Sequence, residues 1–194
     1  TSSHPFLFLI LVGCHKRGSG VSVENEAILF DKKTGLEYYK IRSGSFLVGA
    51  KDFLDSGITF SEKVKPPSRE PDVVEELTTS KFQAQLYRLS GDYNPLHVSS
   101  EFANMVGFKE PILHGLCTLG VTARALVKCM CLNDPSRFQS IKVRFSKPVL
   151  PGDTLVVKMW NEGSGKVVFT TSVKETGAVV INNAVFQMKM GAKM

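Results

Sequence analysis

Cysteine and tryptophan are scarce: four of one and one of the other in 194 residues. Cys129 and Cys131 form a C-x-C with no second pair, which argues against a zinc site, and Cys14 and Cys117 complete no disulfide framework. All four read as small apolar fillers in a reducing compartment. Long apolar runs are absent too. Pro5 to Val12 is the one amino-terminal stretch of this kind, and it falls well short of the roughly 20 residues needed to span a bilayer. It lacks the basic leader of a signal peptide, and although Leu11-Val12-Gly13-Cys14 looks like a lipoprotein cleavage site, a buried strand is the expectation. The net charge is +6, but no basic run is interleaved with aromatics, so nucleic-acid binding is not expected.

What is present suits one domain or two small ones. Hydrophobic residues make up 43%, enough for a real core. Val21 to Phe30 and Glu37 to Val48 read as strands joined by Asp31-Lys32-Lys33-Thr34-Gly35. Near the other end Gly163-Ser164-Gly165, Val167–Val173, Lys174-Glu175-Thr176-Gly177 and Val179–Met188 repeat that pattern, after Gly18-Ser19-Gly20 in the first copy. Two copies of one unit are expected, with two unrelated hairpins as the alternative. The predicted organisation is a partial unit over 1–50, a linker over 51–76 holding Pro66, Pro67 and Pro71, and a complete unit over 77–194. Ser80 and Gln83 suggest a capping box for a helix ending at Gly91, and a short helix is expected from Ser100 to Val106. Gly115 to Cys131 is long, apolar and poor in breakers, and strands follow near 138–145, 154–160, 167–173 and 179–188. One buried helix with antiparallel strands makes an α+β layer fold.

The chemistry concentrates between Tyr87 and Cys117. Asp92, Asn94 and His97 put an acid, an amide and an imidazole within six residues, and His114-Gly115 follows seventeen positions on. Pro95 disfavours helix at Asn94, so a folded loop rather than one helix face must aim Asp92 and His97 at a common point. Taken singly, Asp92 after Gly91 reads better as a turn or cap residue, and His97 equally as a satisfied loop histidine.

Ser90-Gly91-Asp92-Tyr93-Asn94-Pro95-Leu96-His97 with Pro111-Ile112-Leu113-His114-Gly115-Leu116 resembles the signature of the R-specific, type-2 enoyl-CoA hydratases, MaoC-like proteins of the hot-dog fold. The similarity runs from about Gly18 to the end of the chain. The resemblance implies a double hot-dog with an incomplete first half. It also implies hydration of trans-2-enoyl-CoA to (3R)-3-hydroxyacyl-CoA in β-oxidation. Asp92 and His97 would be the acid–base pair, Asn94 a holder of water or substrate, and the Gly115 N–H an oxyanion donor at a helix start. Tyr93, Pro95, Leu96, Phe145 and, by a looser alignment, Arg17 would contact substrate. Phe145 otherwise reads as a plain core strand residue. His114 is expected to stabilise the helix entrance rather than act chemically. No metal or redox cofactor is implied; coenzyme A enters only as part of the substrate, and its phosphates suit the basic surface. A homodimer without membrane insertion is implied.

The carboxyl-terminal Ala192-Lys193-Met194 has the small–basic–apolar form of a peroxisomal address. There are also departures. Val98-Ser99-Ser100 stands where the family has Asp-Pro, although serine still caps a helix. The upstream strands, helix and His-Gly of the family's first half are not seen, and with no initiator methionine a fragment or processed form is expected. A hot-dog thioesterase and a silent acyl-CoA-binding module are the rival expectations.

Overall fold

The computed structural model describes residues 5–60 and 63–189. The chain divides into two compact units, Thr1–Glu62 and Lys63–Met194.

The first unit is a single antiparallel sheet in the order β3-β2-β1-β4. Its strands are β1 (Pro5–Arg17), β2 (Gly20–Asp31), β3 (Glu37–Val48) and the two-residue β4 (Ser56–Gly57). Directly paired residues share a face. Leu7 and Leu9 therefore stand beside Leu29 and Ala27, which stand beside Tyr39 and Ile41. Among the described residues of this unit no helix covers that face, and Leu9 and Tyr39 are each 69% exposed. The expected buried strand over 5–12 is thus a strand but not a buried one: a sheet buries a face only where a second layer packs on it.

The second unit is layered. Its sheet runs β5-β7-β8-β9-β6, made of β5 (Val73–Thr78), β6 (Phe138–Phe145), β7 (Thr154–Asn161), β8 (Lys166–Val173) and β9 (Val179–Met188). Three helices accompany it: α1 (Gln83–Tyr87), α2 (Ser100–Met105) and α3 (Gly115–Met130). Alternation sets the inward face, so Leu155, Val157 and Met159 of β7 and Val167, Phe169 and Val173 of β8 join one core. Helix α3 buries Cys117, Thr118, Thr122, Ala125 and Leu126, the three- and four-residue spacing of one stripe, while Leu116 and Arg124 face out. Cys117 and Ala125 are small, which suits a helix lying close against a curved sheet. The stretch 51–76, expected as a linker, carries β4 and most of β5.

The two hairpins are built alike. Gly35 (φ +72°) and Gly177 (φ +66°) take the left-handed turn position. Each N–H donates back across its turn at 2.8 Å, Gly35 to the carbonyl of Asp31 and Gly177 to that of Val173. At the other end the Gly49 N–H meets the Ser19 carbonyl at 2.8 Å and the Met188 N–H meets the Gly165 carbonyl at 2.9 Å. These correspondences support the repeat over two unrelated hairpins.

The expected capping box does not form. Ser80 Oγ accepts from the Phe82 N–H at 3.1 Å, and α1 starts only at Gln83 without a side-chain cap. A serine oxygen used two residues on makes a local turn, which pre-empts the N3 bond of the box. The helical segment does end at Gly91 (φ 108°) after a 3-10 turn over Arg88–Ser90. Ser99 caps α2 through the Phe102 N–H at 3.2 Å, so the Val98-Ser99-Ser100 departure leaves that helix start intact.

Candidate active site

Three local devices shape the loop from Gly91 to His97. Gly91 in the left-handed region stops the preceding 3-10 turn. Asp92 Oδ1 accepts from the Asn94 N–H at 3.1 Å, an Asx turn that folds the chain back. Asn94 Oδ1 then accepts from the Leu96 N–H at 3.0 Å, capping a 3-10 turn over Pro95–His97 whose first position, with no N–H to satisfy, is Pro95. The sequence Asp-x-Asn-Pro-x-His is therefore a self-supporting loop that delivers His97 to the interior.

His97 is 8% exposed, and its Nδ1 lies 2.7 Å from the Ile112 carbonyl. A carbonyl only accepts, so Nδ1 carries the proton and neutral His97 keeps a lone pair on Nε2. That is the tautomer a general base requires. His114 is 1% exposed and donates from Nε2 to the Asp92 carbonyl at 3.3 Å. Its ring stacks on His97 with centroids 3.7 Å apart and planes 26° apart, and the Tyr87 ring lies tilted against it at 4.8 Å. Burial, then the nearby charge of His97, pushes the His114 pKa below its ordinary value.

Asp92, His97 and His114 each bring a ligand atom within 4.8 Å of the others. Proximity alone does not make a metal site. Ring lone pairs lie in the ring planes, and two stacked, nearly parallel rings send theirs past each other. One nitrogen of each ring is also committed to a carbonyl. The arrangement suits proton transfer better than chelation.

Gly115 opens α3, and no side chain caps that end. The first N–H groups of this 16-residue helix therefore point out unclaimed by a cap, at the positive end of its dipole. A cavity of about 290 Å³ lies there, lined among others by His97, Phe108, Ile112, Gly115, Phe145 and Val180. A Cβ on Gly115 would sit 3.7 Å from the Phe145 ring, so the bare glycine faces this space.

The structure thus brings Asp92 to the two histidines, and places His97, Gly115 and Phe145 around one cavity. Phe145 is 45% exposed, at the end of β6, rather than a core residue. Asn94 serves the loop through Oδ1, which leaves its amide N–H₂ as the group it can offer. Tyr93 and Pro95 are exposed and Leu96 half-buried; the Tyr93 ring lies under the Arg88 guanidinium at 5.5 Å. Arg17 belongs to the first unit, where it lines a cavity of about 590 Å³ with Lys16 and Lys51. Two features escaped the sequence. The Ile112 carbonyl has no side-chain signature. The stacking of His114 on His97 joins positions seventeen apart, and only its place before a glycine at a helix start hinted at a role.

The layered second unit, with its central helix, antiparallel sheet and the Asp92–His97 loop at the helix entrance, defines a hot-dog domain of the α+β class. The chain belongs to the MaoC like domain family, which matches residues 62–184. It is 48% identical over 172 residues to the peroxisomal multifunctional enzyme type 2 of Mus musculus, a match covering 87% of this chain and 23% of that protein. It is 43% identical over 180 residues to the peroxisomal enoyl-CoA hydratase 2 of Arabidopsis thaliana, covering 88% of this chain and 58% of that one. Among solved structures, a MaoC-like dehydratase from Phytophthora capsici superposes with a TM-score of 0.84 at 44% identity, covering 97% of this chain and 66% of that one. The chain thus spans less than two thirds of these relatives.

Proposed function

We propose that this chain hydrates trans-2-enoyl-CoA to (3R)-3-hydroxyacyl-CoA, as part of fatty-acid β-oxidation. The observation that carries the reading is the His97 tautomer: Nδ1–H is held by the Ile112 carbonyl at 2.7 Å, in a cavity shared with the start of α3. Asp92 and His97 together take a proton from one water as its oxygen bonds to the β-carbon. The π electrons move toward the α-carbon and the thioester oxygen, which the Gly115 N–H meets. The pair then returns a proton to the α-carbon. One water is added across one double bond, no electrons are gained or lost, and neither metal nor redox cofactor enters the scheme. Asn94 would steady the water or the carbonyl region, and Tyr93, Pro95, Leu96, Phe145 and Arg17 are proposed substrate contacts.

The names of the relatives support a peroxisomal location; the carboxyl-terminal Ala192-Lys193-Met194 lies outside the described residues. The exposed apolar face of the first sheet supports association, and a homodimer is the assembly we propose. Product analysis after incubation with a medium-chain trans-2-enoyl-CoA tests the activity. A 3-hydroxyacyl-CoA with no free thiol is expected. Free coenzyme A without hydroxyacyl product would replace hydration by thioester hydrolysis, and binding without turnover would make the chain an acyl-CoA-binding module.

A further inference from the structure

His114 is fully enclosed, yet the scheme above gives it no proton to move. Its Nε2–H is committed to the backbone carbonyl of the residue that carries the acid. Its ring face is committed to the residue that carries the base. Its own backbone leads directly into Gly115, the proposed oxyanion donor, and its carbonyl accepts from the Thr118 N–H at 3.0 Å in the first turn of α3. One residue therefore touches all three parts of the site, two through its side chain and the third through its backbone. Its remaining polar atom, Nδ1, is buried without a partner. A buried acceptor left unpaired is destabilising, and an apolar ring of similar size would avoid that cost.

The explanation lies in what a proton on Nδ1 would do. It would place a buried cation, with no acceptor, against the face of His97. Its charge would also repel the proton that His97 must hold during turnover. With Nδ1 bare, His114 is a neutral ring that an imidazolium at His97 can stack upon. We propose that His114 is a positioning residue for the hydration assigned above: a neutral Nε2–H imidazole that fixes the spacing of Asp92, His97 and Gly115. The groups facing it are Tyr87 and Arg88 from the helical segment before the loop and Asp92 and His97 from the loop itself; the Asp92 carboxylate lies within 4.8 Å of a ring nitrogen, and no group among the described residues hydrogen-bonds to Nδ1. The inference rests on the hydratase reading for its functional half and on geometry alone for its structural half.

Three substitutions separate the two contacts. His114→Gln carries an amide N–H₂ to about where Nε2 stands and keeps the bond to Asp92. His114→Phe keeps the stack and loses the bond. His114→Ala loses both. Per folded molecule, the alanine variant is expected to lose roughly 10²-fold in kcat with KM changed by less than about threefold, because misplacement of about 1 Å has that effect. Glutamine is expected to recover about tenfold of the loss, and phenylalanine less. Alanine retaining wild-type kcat, or glutamine no better than alanine, would overturn the proposal. Should the variants unfold, ¹⁵N NMR of the wild-type histidines decides it. Expected is a His114 ring protonated on Nε2 alone at neutral pH; a proton on Nδ1 there overturns it. A wild type with that tautomer but no hydration of enoyl-CoA would refute the reaction and leave the geometric inference standing.

Discussion

Replacing Gly115 by alanine should separate stability from activity. The backbone there is not left-handed, so alanine is sterically admissible, and its Cβ would come nearest to the Phe145 ring at 3.7 Å, an ordinary contact. Alanine is also the better helix former, by about 1 kcal/mol in a helix interior and less at a first position. The variant should therefore melt at the wild-type temperature or a few degrees above it. Catalysis should respond in the opposite direction. An oxyanion must approach its donor to about 2.7–3.1 Å, whereas a methyl group holds neighbours off at about 3.5–4.0 Å. The added Cβ stands on the cavity side of the helix start, so the thioester is displaced by about 1 Å, and roughly 10²-fold of kcat/KM should go with it. Calorimetry beside the hydration assay reads both quantities. An alanine variant as active as wild type would refute the assignment of the α3 start as the oxyanion site; a variant that loses activity only by unfolding would refute the steric argument.

Two histidines should make the two units respond to pH in opposite senses. Burial holds His114 below its ordinary value of 6.5, so the unfolded chain takes up the proton first. The second unit should therefore lose stability as pH falls through about 6.5, and His114→Phe should flatten that limb. His15 is held above 6.5 by its bonds to the Ile58 carbonyl and then to Asp55. Its contribution is complete below about 6.5 and fades as pH rises through the folded value, and His15→Ala should remove it. Hydrogen exchange in β1 and in α3 across pH reads each unit separately; parallel responses would contradict the assignment. In the core, Thr122 and Thr171 pair their hydroxyls at 3.2 Å with both residues fully buried. Thr122→Val should cost about 1–3 kcal/mol by orphaning Thr171, and adding Thr171→Val should recover much of it, as a denaturation cycle would show. Asn94→Ala should lower the melting temperature by removing a cap of about 1 kcal/mol and should weaken turnover, whereas Asn94→Asp should restore the cap alone.

Periodicity and punctuation made most of the second unit legible. Strands 138–145 and 179–188 and the helix from Gly115 fall where alternation, turn residues and an unbroken apolar run put them. The short helix after Ser99 followed from a cap whose chemistry is local. Reading failed where a non-local partner decides. Leu7 and Leu9 look like buried strand residues, but burial depends on a covering layer that no local pattern specifies. Ser80 offered one oxygen to two possible turns, and the tighter one took it. Asp92, His97 and Gly115 were singled out by spacing and resemblance. The features that orient them, the Ile112 carbonyl and the His114 ring, come from 15 and 17 residues beyond His97, and no pattern in the motif encodes that meeting.

The shared acid–base work of Asp92 and His97 on one water is the claim most directly open to measurement. Loss of enoyl-thioester absorbance from a medium-chain trans-2-enoyl-CoA, with chiral analysis of the product, should be followed for wild type, Asp92→Asn and His97→Ala. The account predicts (3R)-3-hydroxyacyl-CoA from wild type and a rate lower by about 10²-fold or more in each folded variant. Hydration persisting at the wild-type rate in either variant, or an S-configured product, would contradict it.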